Sequence, residues 1–204
     1  MRIKEEYREE TIINKSRFIA CLLPSKTEEE ARAYIECIRK EYADATHVCT
    51  AYSLGPNQCI QRSSDNHEPA GTAGVPMLEA IKKSGIEDIT ACVVRYFGGI
   101  KLGAGGLIRA YSGSVSNAIA NAKKVEDVIF QKYRVQYPYD LSGTLETWLR
   151  RNTEIDEILY DENVTCYFFT DDPSIEKKIQ DITKGKIKPH FLQEIKREKD
   201  IIEE

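Results

Sequence analysis

Three cations, Arg95, Lys101 and Arg109, bracket a run holding five of the chain's twelve glycines, Gly98, Gly99, Gly103, Gly105 and Gly106. Glycine at this density is entropically costly unless the backbone must take positive φ or let something approach closely. An apolar run, Ile89 to Val94, precedes it and an amphipathic pattern follows, so the order reads strand, glycine loop, helix N-terminus. Unpaired N–H groups and the helix dipole converge at such a place and favour an anion. In this reading Arg95 and Arg109 grip phosphate as forks, Lys101 acts as a point charge, and the loop N–H groups form a nest. Glycines that let a helix pack tightly on a sheet are the other reading, and the loop alone does not separate the two. Neither common nucleotide pattern is met. A P-loop needs Lys-Ser/Thr after its second glycine, where Ala104 and Gly105 stand, and a dinucleotide fingerprint needs a small residue where Ile108 stands.

Arg95 closes a buried strand, where an unpaired guanidinium is expensive; it needs an anion or a carboxylate, and Asp65 and Glu68 are the candidates. Asp65, His67 and Glu68 crowd one loop, but without the His-Glu-x-x-His spacing that puts two ligands on one helix face, so no metal site is expected. His47 and Cys49 lie two apart and share a strand face. Side chains so placed seldom meet as a nucleophile and base, and plain packing is the expectation. Tyr96 and Phe97 offer rings on which bases can stack, though at least one of them should be core.

The elements that must position these residues follow from pattern. Lys15 to Leu23 reads as a strand stopped by Pro24, and Thr27-Glu-Glu-Glu30 as a capping box opening a helix to about Tyr42. Thr46 to Leu54 reads as a strand, Gly55-Pro-Asn57 as a turn, and Cys59 to Ser63 as a return strand. A polar loop from Ser64 to Gly74 leads to a short helix, Val75 to Lys83, with Pro76 in its first turn. On the helix after the glycine loop, Leu107, Ile108, Tyr111, Val115, Ala118, Ile119 and Ala122 form the core stripe, with Arg109, Ser112, Gly113 and Ser116 opposite. From Val128 the expected order is strand (128–137), helix (140–151), strand (154–160), strand (163–170), helix (174–184) and strand (187–196). That βαββαβ order is the ferredoxin-like arrangement. The boundary is a short connection around 124–135, giving domains 1–127 and 128–204.

A 204-residue chain with 41% hydrophobic and 30% charged residues is an ordinary globular protein. It has no apolar stretch long enough to span a bilayer and no signal-peptide core, so the expected location is cytoplasmic. Six cysteines stand singly, without a Cys-x-x-Cys pair, and read as buried reduced thiols. Net charge is −4, but residues 1–134 carry 19 Lys and Arg against 17 Asp and Glu, and residues 135–204 carry 10 against 16. Any anion binding therefore belongs to the first part, and the acidic second part is a structural module or a docking face for a protein.

Four blocks go further: Lys15-Ser-Arg-Phe-Ile-Ala20, Ala45-Thr-His-Val-Cys-Thr-Ala-Tyr52, Glu68-Pro-Ala-Gly-Thr-Ala-Gly-Val-Pro-Met-Leu78, and Arg95 through Ser112. They resemble the IMPACT family, bacterial YigZ branch. The resemblance implies an α+β protein, with a ribosomal protein S5 domain 2-like N-terminal domain and a ferredoxin-like second domain, both related in fold to the last two domains of elongation factor G. For bacterial members it implies an RNA- or ribosome-associated role in regulating translation, with no established reaction and no cofactor. An enzyme acting on a small phosphorylated ligand is the alternative, since kinases share the first fold class. Carried over residue by residue, the shared surface is His47, Glu68, Thr72, Arg95, Lys101 and Arg109. The chain departs from the family at His67, usually Gly, at Val48, often Asn, and at Ala70, commonly Ser.

Overall fold

The computed structural model describes residues 1–201; the last three residues assigned above to the second domain lie outside them. The elements in chain order are β1 (Arg2–Ile3), β2 (Tyr7–Ile13), β3 (Ser16–Pro24), α1 (Glu28–Glu41), β4 (His47–Leu54), β5 (Ile60–Ser64), α2 (Gly74–Ser84), β6 (Ile89–Tyr96) and α3 (Gly103–Asn121). Then follow β7 (Lys124–Tyr137), α4 (Thr147–Asn152), β8 (Glu154–Tyr160), β9 (Val164–Thr170), α5 (Ile175–Ile182) and β10 (His190–Ile201). The protein is α+β with two five-stranded sheets.

The chain divides into two compact units, Met1–Glu126 joined by Asp200 and Ile201, and Asp127–Lys199. In the first, the strand order is β2-β3-β6-β4-β5, every neighbouring pair antiparallel. Its three central strands are buried on both faces, which is why they read as near-continuous apolar runs. On one face α1 packs Ala31, Tyr34, Ile35 and Ile38 against Ile19, Cys21, Val48, Cys92 and Val94. On the other, α2 and α3 pack Met77, Ile81, Leu107, Tyr111 and Val115 against Phe18, Ala20, Leu22, Cys49, Ala91 and Val93.

The capping box forms as the spacing predicts, with Glu30 N–H donating to Thr27 Oγ1, although the Glu30 carboxylate accepts from Lys26 N–H rather than from Thr27. Strand β2 is absent from the sequence reading. Its residues, Tyr-Arg-Glu-Glu-Thr-Ile-Ile, are charged because it is an edge strand with one half-buried face, and such strands carry no apolar run.

In the second unit β7, β9 and β8 pair antiparallel, with β10 on the other side of β7. Tyr133, Val135, Tyr137, Val164, Cys166 and Phe168 form the core with Leu145, Leu149, Ile175 and Ile179. Three features differ from the sequence reading, the first being the last strand, expected over 187–196 and found at His190–Ile201. The helix expected over 140–151 is regular only in α4, preceded by a 3₁₀ turn, Tyr139–Leu141, and a π turn, Ser142–Glu146, around the poor helix formers Ser142 and Gly143. Strand β7 begins at Lys124, so the change of unit falls inside a continuous strand: Lys124 and Val125 pair with β1, and Gln131 to Tyr137 pair with β9.

Four of the six free cysteines are buried, Cys21, Cys49, Cys92 and Cys166, and two are exposed, Cys37 and Cys59. The sequence reading buried all six. Cys37 departs from it because it lies off the packed stripe of α1. Among the described residues no helix is long and apolar enough to cross a membrane.

Candidate functional site

Strand register builds the site. Arg95 on β6 is cross-strand partner to Phe18 on β3 and to His47 on β4, so the three side chains form one row on the α3 side of the sheet. At 5% exposure Arg95 is buried, its guanidinium 5.4 Å from the Phe18 ring centre and 5.5 Å from that of Phe97. Of its two candidate carboxylates, Glu68 is the partner: Arg95 Nη1 donates to Glu68 Oε1 at 2.5 Å. Tyr111 on α3 donates its hydroxyl to the same oxygen at 2.8 Å. Burial first, and then Cys49 and Glu68 beside it, raise the phenol above its ordinary range, so Tyr111 stays a donor. The sequence reading placed Tyr111 in the core stripe; the missed signal is that a buried tyrosine needs a partner for its hydroxyl.

His47 Nδ1 lies 2.9 Å from the Asn66 carbonyl, and a carbonyl only accepts, so Nδ1 carries a proton. The other ring nitrogen, Nε2, lies 3.7 Å from Glu68 Oε1. Cys49 donates its thiol to the Asp65 carbonyl, and burial pushes that thiol up to about 12. It is therefore a packed thiol and a poor nucleophile. Asp65 is spent on backbone: it accepts from the N–H groups of Gly71, Ala73 and Gly74 at the start of α2.

Between β6 and α3 the glycine loop makes close approaches. A Cβ on Gly98 would stand 2.0 Å from the Lys15 carbonyl carbon, and Gly99 and Gly103 take φ of +85° and +69°. The loop thus packs tightly against the Lys15 backbone and also opens a helix. No side chain caps α3, and its first turn holds no acid. By contrast α1 is capped by Thr27, and Asp65 accepts from the first N–H of α2. Gly103, Ala104 and Gly105 are exposed, so their end of the helix faces outward.

A cleft of about 450 Å³ lies here, within the usual range for ligand sites. His47, Glu68, Arg95, Lys101 and Gly103 line it, together with Thr46, Pro69, Phe97, Leu102, Ala104 and Leu107. Of these last six only Phe97 was offered from sequence, as a ring for base stacking. Apolar walls carry no signal in a single sequence that distinguishes them from core. Gly98, Gly99, Gly105 and Gly106 are not part of the lining. Arg109 is exposed on α3 outside it, and Thr72 is buried with its hydroxyl donating to the Pro69 carbonyl. His67 is exposed, off the lining, at φ +67°, a left-handed conformation that glycine takes without strain. Among the described residues no cluster of three or more His, Cys, Asp or Glu could hold a metal ion.

The Impact N-terminal domain model matches residues 14–119. IMPACT family member YvyE of Bacillus subtilis (strain 168) is 43% identical over 188 residues, covering 90% of this chain and 87% of that one. IMPACT family member YigZ of Escherichia coli (strain K12) is 45% identical over 139 residues, covering 67% and 68%. Among solved structures, one described as the crystal structure of an hypothetical protein superposes with a TM-score of 0.59 at 33% identity, covering 94% of this chain and 96% of that one. The matched domain spans the cleft and both of its walls, and the chain belongs to the IMPACT family.

Proposed function

We propose that the first unit binds RNA phosphate at the mouth of the cleft, and that the protein is an RNA- or ribosome-associated regulator of translation. The observation that carries this reading is the bare N-terminus of α3: a 19-residue helix with no capping side chain, opening on exposed glycines beside Lys101. Its N–H groups and dipole favour an anion there, and Lys101 adds a charge with no protein partner among the described residues. Arg109 lies one to two turns along α3 and would meet the next phosphate.

The strand orders support the finer fold reading. The order β10-β7-β9-β8 with β-α-β-β-α-β connectivity is what a ferredoxin-like domain has, and a five-stranded antiparallel sheet between one helix and two fits an S5 domain 2-like unit. The acidic second unit would serve as a docking face for a protein partner.

Filter binding of the full chain to single-stranded RNA tests the proposal. Affinity should fall steeply with salt, and Lys101→Ala should reduce the log–log slope by about 1. Absent or salt-independent binding overturns it. Co-migration with ribosomal subunits in a sucrose gradient, with and without RNase, tests the ribosome part.

The concavity of the site favours a second reading, an enzyme acting on a small phosphorylated ligand. It requires a Mg²⁺-dependent thermal shift with nucleotide and substrate turnover.

A further inference from the structure

A second concavity lies between α2 and α3 and shares no lining residue with the cleft. Asp65 holds the start of α2 in the loop whose Glu68 reaches Arg95, and α3 follows directly from β6, so the two helices run the same way. Their inner faces are buried in the core through Met77, Ile81, Leu107, Tyr111 and Val115. Outside, a groove of about 370 Å³ runs between Val75, Glu79 and Lys83 on α2 and Ile108, Ser112 and Ser116 on α3. Each set is spaced four residues apart, so each wall is a single helical ridge about 12 Å long. A groove between two such ridges is the shape into which a ridge of a third helix packs.

The walls are apolar at one end and neutral along one side. Where both helices begin, Val75 and Ile108 face water, at 51% and 41% exposure. Ser112 donates to the Ile108 carbonyl of its own helix at 2.7 Å, so it presents a small, satisfied surface rather than a free donor. After Arg109, α3 carries no charged residue through Asn121, and its short side chains let another backbone come close.

Charge selects the occupant. Helices α2 and α3 hold three cations, Lys82, Lys83 and Arg109, against one carboxylate, Glu79, which pairs with Lys82 at 2.9 Å. Lys83 and Arg109 have no carboxylate partner among the described residues. On the opposite face of the same sheet, α1 holds five carboxylates against three cations. The two helical faces of the unit thus differ in sign, and the apolar groove lies on the basic one. A nucleic-acid backbone would meet the cations and leave Val75 and Ile108 in water, whereas an acidic amphipathic helix meets both.

We propose that the α2–α3 groove takes an acidic amphipathic helix of a partner protein. Its apolar side chains seat between Val75 and Ile108, and its carboxylates meet Lys83 and Arg109.

Selection on the full chain from a displayed library of helical peptides of about 18 residues tests this. Selected sequences should converge on apolar residues at i and i+4 flanked by Asp and Glu. In fluorescence anisotropy, Ile108→Glu should weaken a selected peptide about tenfold. Lys83→Glu should weaken it about fivefold and strengthen the same peptide with its carboxylates changed to lysine. Both side chains face solvent, and an unchanged thermal midpoint shows the fold intact; Val75→Ser checks the other wall independently. Enrichment of basic peptides, no enrichment, or selected peptides indifferent to these substitutions overturns the proposal. Single-stranded RNA weakened by Ile108→Glu as much as the peptide is would give the groove to nucleic acid and overturn it as well.

Discussion

Asp65 shows how a single side chain can be committed to structure inside a functional neighbourhood. Its carboxylate gathers Gly71 and Gly74 N–H at 2.8 Å and Ala73 N–H at 3.0 Å, fixing the loop that delivers Glu68 to Arg95. Burial raises its pKa, but the three backbone N–H bonds outweigh that and leave it below the ordinary carboxylate value. The folded-state pKa is the lower one, so the stabilisation is complete above the unfolded value near 3.8 and is lost as pH falls through the folded value. Asp65→Ala should therefore cost about 1–2 kcal/mol in urea denaturation at pH 7. The gap from the parent should narrow toward pH 3, and a gap constant with pH would exclude the carboxylate as its source. From sequence, Asp65 and Glu68 are equivalent candidates for Arg95. Only three-dimensional register distinguishes them, because the choice depends on which backbone N–H groups the loop turns inward.

At the scale of elements, the glycine loop is held by a hairpin that the sequence does not reveal. Asn14 and Lys15, at φ of +46° and +65°, turn β2 into β3, and Gly98 lies against the Lys15 backbone with its N–H donating to Ser16 Oγ. Neither backbone can yield, so Gly98→Ala should cost more than about 3 kcal/mol and expose the β2–β3 amides to hydrogen exchange. Gly105 is the contrast: inside α3, its added methyl would meet only Arg109 Nη1, at 3.5 Å. Gly105→Ala should stabilise the helix by up to about 1 kcal/mol in thermal or urea unfolding. The two outcomes separate the glycine needed for packing from the one that merely leaves the helix end open. The elements legible in sequence were those with a local signature: the Thr27 cap, the apolar β6, the periodic α3. Strand β2 and the first residues of β7 were not, because an edge strand and a strand that changes partners midway have no single period to display. The glycine loop was legible as a place and not as a cleft, since concavity arises from Pro69, Phe97 and Leu107 on three separate segments.

Across the whole chain, the hydrophobic core is partitioned: the two units have separate cores. The family assignment rests on the first unit together with most of the second, whereas the candidate site belongs to the first alone. The cysteines follow the same partition and turn it into a chemical clock. Cys37 and Cys59 are open to a thiol reagent in the native protein; Cys21, Cys49 and Cys92 are sealed in the first unit and Cys166 in the second. Burial pushes the Cys21, Cys49 and Cys166 thiols up to about 12, so they react only when their surroundings open. Ellman's reagent should therefore titrate two equivalents promptly and four more slowly, while mass mapping of the late label times each unit by its own residues. Prompt reaction of four or more would contradict the sealed cores. With no engineered probe, the protein already carries one reporter thiol for the opening of its second unit and three for its first.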